Sequence, residues 1–266
     1  LRVRLVGLGA ARNAGLDHAC GMYVFFLDAD DYLFVRSAGP LLACCRQCRP
    51  DVLSFGMQTV RHREQEQSNR AVRLRICYEG SGAGYMVGHN LRAAAWGYLF
   101  RRECLGELRF VTGIFHEDEA FTPRLWLQAK HVCVTSLPVY AYYQRSDSIV
   151  HVSSREQLEK RMADLRQVLV GLKQEPVRNA LQQQALRRRM ETLASDVWWR
   201  LVCESPDTAF LRCQLGWFRE AGFYPLPLRF YTLRYILMYI GSQCGMVSVF
   251  LNRMSHLKQL FSSKNQ

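Results

Sequence analysis

Neither a phosphate loop of Walker spacing nor a G-x-G-x-x-G fingerprint occurs in these 266 residues. The two glycine-built cradles most often used for nucleotides are thereby excluded. A second C-x-x-C pair is missing too. The ten cysteines therefore do not spell a zinc module, even though Cys44, Cys45 and Cys48 crowd one segment. Their spacing fits a single helix and reads as buried structural thiols. No disulfide framework is expected in a chain this long, and no signal peptide is recognised at its start, which points to a reducing cytoplasm. Acidic residues are scarce beside basic ones, 23 against 35, for a net charge of +12. That excess asks for a polyanionic neighbour: nucleic acid, an anionic membrane surface or a phosphorylated substrate. Nucleic acid is not expected, because no recognition motif occurs and the positive charge is spread rather than striped with aromatics. Residues 235–252 carry no charge, yet Gly241, Ser242, Gln243 and Gly245 interrupt them. They read as an interfacial helix flanked by Arg234 and Arg253, suited to peripheral contact with anionic lipid rather than to a span.

What the chain does contain is organised around residues 22–31. The apolar run Met22-Tyr23-Val24-Phe25-Phe26-Leu27 does not alternate, which predicts a strand buried on both faces of a helix-covered sheet. It changes abruptly into Asp28-Ala29-Asp30-Asp31. Carboxylates are costly to bury, so they belong at the strand's open end. In open α/β sheets that end is where ligands bind. A divalent ion between Asp28 and Asp30 would turn their repulsion into attraction, and such hard oxygen ligands suit Mg²⁺ or Mn²⁺. A polar strand end with an Asp-rich turn is the bland alternative.

The remaining elements follow in order. Gly7 and Gly9 permit a tight turn into a short helix whose free N–H groups could face an anion. Residues 38–49 predict a helix ended by Pro50, and residues 52–60 a strand. Residues 61–70 are polar and loop-like, and 72–76 alternate like an edge strand. Ser81-Gly82-Ala83-Gly84 turns into another short helix. A second acidic cluster, Glu117-Asp118-Glu119, opens a helix near Asp118, with Pro123 in its first turn. The dipole there favours ionised carboxylates, so a helix cap is the plain reading of Asp118. Residues 131–135 and 139–143 predict two strands around Pro138. From Arg155 onward Leu158, Met162, Leu165, Leu169 and Leu172 repeat at helical spacing, and a second helical run extends from Pro176 to Leu201.

Four of these blocks, in this order, resemble bacterial glycosyltransferase family 2, whose fold is GT-A. Residues 9–16 match its "aaRNaGl" segment and residues 26–33 its "fLDsDDyl" strand end. Residues 117–121 match its "EDexf" motif, and residues 142–149 its "yyyRqr.gSi" segment. The resemblance implies an α/β fold, a GT-A-like (Rossmann-like) three-layer domain with a mixed sheet, followed by a helical C-terminal region. The expected division is 1–151 for the catalytic domain and 152–266 for the helices, which could associate with a membrane. Family members open with strands carrying "vPvYN" and "vDDGStD", which hold the nucleotide. Neither occurs here, so an N-terminally truncated domain that binds donor poorly is expected.

By the same resemblance the reaction is inverting transfer of a sugar from a nucleoside diphosphate sugar to a hydroxyl of a glycan or lipid-linked acceptor, in surface polysaccharide synthesis. Asp28 and Asp30 would hold Mn²⁺ or Mg²⁺, and Asp31 would support them from behind. Arg12, Asn13, Asp28 and Arg145 fall on the donor side, the two arginines because a guanidinium matches phosphate oxygens bidentately. Asp118 would be the general base, with Glu117 in reserve. Trp96 could stack on an acceptor sugar, or simply pack. His151 could complete the metal shell, or be an ordinary surface residue. A cytoplasmic enzyme, peripheral at the inner face of the plasma membrane, is the implied setting. The alternatives are a sugar-phosphate nucleotidyltransferase and a non-catalytic remnant that binds membrane or other polyanions.

Overall fold

The computed structural model describes residues 7–61, 73–144, 154–204 and 207–243. Expectations that fall on the first six residues, on the loop after Arg61, on Arg145 and His151, and on the tail beyond Gln243 lie outside the described residues. The elements run α1 (Leu8–His18), β1 (Tyr23–Phe25), β2 (Tyr32–Leu33), α2 (Val35–Cys48), β3 (Val52–Val60), β4 (Ile76–Gly80), α3 (Gly82–Gly88), β5 (Tyr98–Arg101), α4 (Glu117–Gln128), β6 (Val132–Tyr143), α5 (Arg155–Lys173), α6 (Ala180–Glu204), α7 (Thr208–Glu220) and α8 (Leu233–Gln243).

The strands form one mixed sheet in the order β1-β5-β3-β6-β2, with β4 also pairing β6. Only β3 and β6 are parallel; the other pairings are antiparallel. Alternation along the strands sorts side chains to two faces. Val52, Phe100 and Val132 meet Ala83 and Met86 of α3 and Phe121, Leu125 and Trp126 of α4. On the other face Leu53, Leu99, Cys133 and Tyr140 meet Leu41, Cys44 and Cys45 of α2. This is the expected three-layer α/β architecture, and helices follow it. The leucine stripe of α5 is buried as its spacing predicts, in the same core as Leu193, Val197 and Leu201 of α6. A capping box between Ser154 and Gln157 starts α5, satisfying donors that the first helical turn leaves open.

Several expectations need correction. The run at 22–27 reaches both faces but is buried only in part: Val24 and Phe26 pack on one core, Tyr23 and Phe25 on the other, while Met22 and Leu27 are exposed. β1 stands at the end of the sheet order with β5 as its partner among the described residues. The pair of strands around Pro138 is one continuous strand. Pro138 lies opposite Gly56, at a register shift between β3 and β6. A Cβ on Gly56 would lie 2.6 Å from the Ser136 carbonyl, so the glycine admits the irregularity that a missing N–H imposes. The edge strand begins at Ile76 rather than ending there, because its partners lie at 132–135 of β6. Pro123 falls in the second turn of α4, not the first. Helix α2 opens at Val35 and carries Pro40 inside.

Candidate active site

The strand-to-carboxylate switch does place its charge at an open end. After β1 the backbone folds into a turn in which the Asp28 carbonyl accepts from the Asp31 N–H at 3.1 Å. Asp31 then leaves the other two carboxylates. Its Oδ2 accepts from the Tyr140 hydroxyl at 2.5 Å, and its Oδ1 from the Tyr143 N–H at 2.8 Å. The Tyr140 oxygen in turn accepts from the Asp28 N–H at 3.3 Å. The turn is therefore fastened at both ends to β6. Burial raises the Asp31 pKa against those hydrogen bonds. Asp28 and Asp30 remain half-buried beside it, with the Asp28 side chain 34% exposed.

Each polar residue of the α1 segment has a distinct task. Gly9 lies so close to the chain at Phe110–Val111 that a Cβ would stand 2.5 Å from the Val111 carbonyl. One turn later Asn13 brackets Phe110, donating to its carbonyl at 2.9 Å and accepting from its N–H at 2.8 Å. The amide thus acts as a backbone surrogate. Arg12 points between two elements, pairing with Glu117 of α4 and, at 3.3 Å, with Asp28. Its guanidinium carbon also lies 5.5 Å from the Phe110 ring centroid and 5.9 Å from that of Phe26. The cation is enclosed by aromatic faces and neutralised by two carboxylates.

Through Arg12 the two acidic clusters, far apart in sequence, meet at one end of the sheet. Helix α4 begins at Glu117, after His116 in a left-handed conformation, φ 62°. A side chain at such a φ costs strain of about 1–2 kcal/mol and is worth a functional question. Glu117 is buried against Arg12. Asp118 accepts from the Glu119 N–H at 2.9 Å, and Glu119 pairs with the buried Arg189 of α6. The three carboxylates therefore have three different surroundings, as successive positions 100° apart on a helix require. Burial pushes the Asp118 carboxyl up to about 6, reinforced by the charge of Glu117 and opposed by Arg12. The helix dipole was expected to keep Asp118 firmly ionised; burial and a like charge outweigh it. Burial and the nearby Arg200 and Arg161 lower the His116 pKa to about 4, so its imidazole is neutral near pH 7.

Trp96 stacks on Tyr140 with centroids 4.5 Å apart. This places a half-buried indole next to the tyrosine that fastens Asp31. The structure thus brings Arg12, Asp28, Glu117 and Asp118 into one locale and engages Asn13 in backbone bracketing nearby. Sequence reading missed the Tyr140–Asp31 clamp and the Arg12–Glu117 pair. A tyrosine on an apolar strand gives no sign that its hydroxyl reaches a turn 109 residues away.

Comparison with known proteins agrees with this fold. Residues 1–103 match the model of glycosyl transferase family 2. The chain is 26% identical over 151 residues to the uncharacterized glycosyltransferase YibD of Escherichia coli strain K12, covering 54% of this chain and 44% of YibD. It is 26% identical over 156 residues to the glycosyltransferase GlyA of Streptococcus pneumoniae, covering 55% of this chain and 22% of GlyA. These matches span less than half of either relative. The fold resembles S. aureus TarS 1-349, crystallised in complex with UDP-GlcNAc, with a TM-score of 0.64 at 18% identity over 97% of this chain and 74% of that one.

Proposed function

We propose that this chain, which belongs with the family 2 glycosyltransferases through its first 103 residues, carries the sugar-transfer site of an inverting enzyme. The donor would be a nucleoside diphosphate sugar and the acceptor a hydroxyl of a glycan or lipid-linked glycan. One observation carries the reading: Arg12 joins Asp28, at the open end of β1, to Glu117, next to Asp118 at the head of α4. A turn carboxylate suited to a metal and a carboxyl suited to a base are thereby held in one place. TarS was crystallised with UDP-GlcNAc, which makes a UDP-sugar the first donor to test.

The residues fit a divalent ion. Asp28 and Asp30 offer hard oxygens on a turn whose backbone is fixed to β6, and Asp31 is occupied elsewhere. Family 2 members commonly depend on such an ion; Asp28 and Asp30 would hold Mg²⁺ or Mn²⁺, which would supply positive charge against a departing diphosphate. Asp118 takes the proton of the attacking hydroxyl. A carboxyl raised to about 6 is a better acceptor than an ordinary aspartate yet is still mostly ionised near pH 7, which suits a general base. Arg12 is a positioning residue that fixes Asp28 relative to α4. Arg145, from the matching family segment, is assigned to the donor phosphates. Trp96, stacked on Tyr140, offers its remaining face to an acceptor sugar.

Attachment to an anionic membrane surface, from the cytoplasmic side, completes the reading. No helix among the described residues is long and apolar enough to cross a membrane. Leu233, Leu237 and Ile240 are exposed on α8, beside exposed Phe230, and their spacing places them on one helical face. The test of the site is isothermal titration of Mn²⁺ with UDP. Asp30→Ala should abolish metal-dependent binding while leaving the circular dichroism spectrum unchanged. Undiminished binding to that variant would remove Asp30 from the metal site.

A further inference from the structure

At the opposite end of the sheet lies a second group of side chains that sugar transfer does not use. Strands β1, β3 and β6 run in the same direction, and Asp28 follows the end of β1. His131 and Cys133 stand where β6 begins, so the sheet separates them from Asp28. They are two apart on extended backbone and face the same side. His131 Nε2 is 2.9 Å from Glu79 Oε1 of β4 and 3.7 Å from Cys133 Sγ. Among the described residues, Glu79, His131 and Cys133 form a group whose ligand atoms all lie within 4.8 Å of one another. Behind them α2 presents Cys44 and Cys48, one turn apart on one face, packed in the same core as Cys133.

We propose that Glu79, His131 and Cys133 form a structural site for a thiophilic divalent cation of the zinc class, with Cys48 drawn in from the packed core behind them as the fourth ligand. The donor set is one imidazole, two thiols and one carboxylate, which selects a borderline-soft tetrahedral ion over Mg²⁺ or Mn²⁺. The spacing agrees. With Zn–N of about 2.0–2.1 Å and Zn–S of about 2.3 Å, a tetrahedral angle separates N from S by roughly 3.5 Å, close to the 3.7 Å between His131 and Cys133. Binding displaces the thiol protons of Cys48 and Cys133 to solvent. The ion enters from the side of half-exposed His131 and exposed Glu79, while Cys133 is fully buried. Its effect is to tie the end of α2, held there by packing, to the hydrogen-bonded strand pair β4 and β6. The sequence shows only half of this site, because Cys48 and the His131-x-Cys133 pair come together only through the fold.

The test is Co²⁺ titration of the whole metal-free chain in a phosphine reductant, with Zn²⁺ as competitor. One equivalent of Co²⁺ should give thiolate-to-cobalt charge transfer and the d–d bands of a tetrahedral ion, both erased by Zn²⁺. Loss of even an outer-shell partner lowers metal affinity by about 10–100-fold, so His131→Ala and Cys133→Ser should each lower it by at least about tenfold. Cys48→Ser should weaken the charge-transfer band, and Cys213→Ser, on α7, should leave it unchanged. If Cys133→Ser does not fold, His131→Ala and Cys48→Ser decide, since both residues are less buried. Absence of a charge-transfer band overturns the proposal. So does a band that survives His131→Ala and Cys48→Ser, or a Cys48–Cys133 disulfide whose reduction yields no cobalt uptake.

Discussion

Arg12 and Glu117, 105 residues apart in the chain, form an ion pair whose side chains are only 11% and 7% exposed. The pair is where the helix after the first turn meets the helix that carries the second acidic cluster. Breaking one side of a buried pair leaves an uncompensated charge and costs about 3–5 kcal/mol, whereas replacing both sides is far milder. Arg12→Ala should therefore lower urea-unfolding stability by that order. Arg12→Met combined with Glu117→Gln should cost clearly less than the sum of the single changes. Additive losses would show that the pair is not coupled.

The Tyr140 hydroxyl, which donates to Asp31 and accepts from the Asp28 N–H, fixes the acidic turn. Tyr140→Phe removes it and leaves a half-buried carboxylate short of a partner, at a cost of about 1–3 kcal/mol. The turn should loosen with it, so Mn²⁺ affinity in the presence of UDP is expected to fall while secondary structure persists. A variant with normal Mn²⁺ affinity would make the clamp a stability feature alone.

Asp118 carries a pH signature. Its carboxyl is raised from 3.8 to about 6 in the fold, first by burial and then by Glu117. The folded state thus binds the proton more tightly than the unfolded chain. The associated stability is present in full below pH 4 and is lost as pH rises through 6. At pH 7 to 8 the ionised group opposes folding by about 3 kcal/mol at most. Asp118→Asn should consequently raise the melting temperature at pH 8, with the gain shrinking as the pH approaches 4. A gain that is constant with pH would mean that Asp118 is not perturbed.

Much of the plan was legible locally. The α5 stripe, the full extent of β3, the turn at Ser81 into α3 and the carboxylate-bearing end of β1 all follow from patterns within a few residues. What was not legible depends on partners distant in sequence. Residues 131–143 read as two strands because Pro138 interrupts them; they become one because Gly56 of β3 faces the proline. Residues 72–76 alternate like a strand, yet pairing with β6 begins only at Ile76. At the site, residue types pointed to Asp28 and Asp118, but nothing local to Arg12 announced that it would join them. The helix dipole at Asp118 was read correctly as a local influence and overruled by burial, which is a tertiary property.

The apolar face of α8 yields a further expectation. Basic residues near an anionic surface contribute about 1 kcal/mol each, and exposed Leu233, Leu237 and Ile240 add apolar area. The chain should float with vesicles containing anionic lipid, less so at high salt. Leu237→Glu with Ile240→Glu should release it. Equal flotation of the variant would place the contact elsewhere.

The most direct test of sugar transfer at this site is kcat for the intact protein carrying Asp118→Asn, with a UDP-sugar donor and Mn²⁺. The substitution keeps size and the hydrogen bond to the Glu119 N–H but removes the basic oxygen. Loss of a general base typically lowers the rate by about 10² to 10⁴-fold. The expected result is a fall of that order with donor affinity nearly unchanged. Turnover within a few-fold of wild type would contradict the assignment, leaving Asp118 a helix-terminal carboxylate and the base to be sought elsewhere.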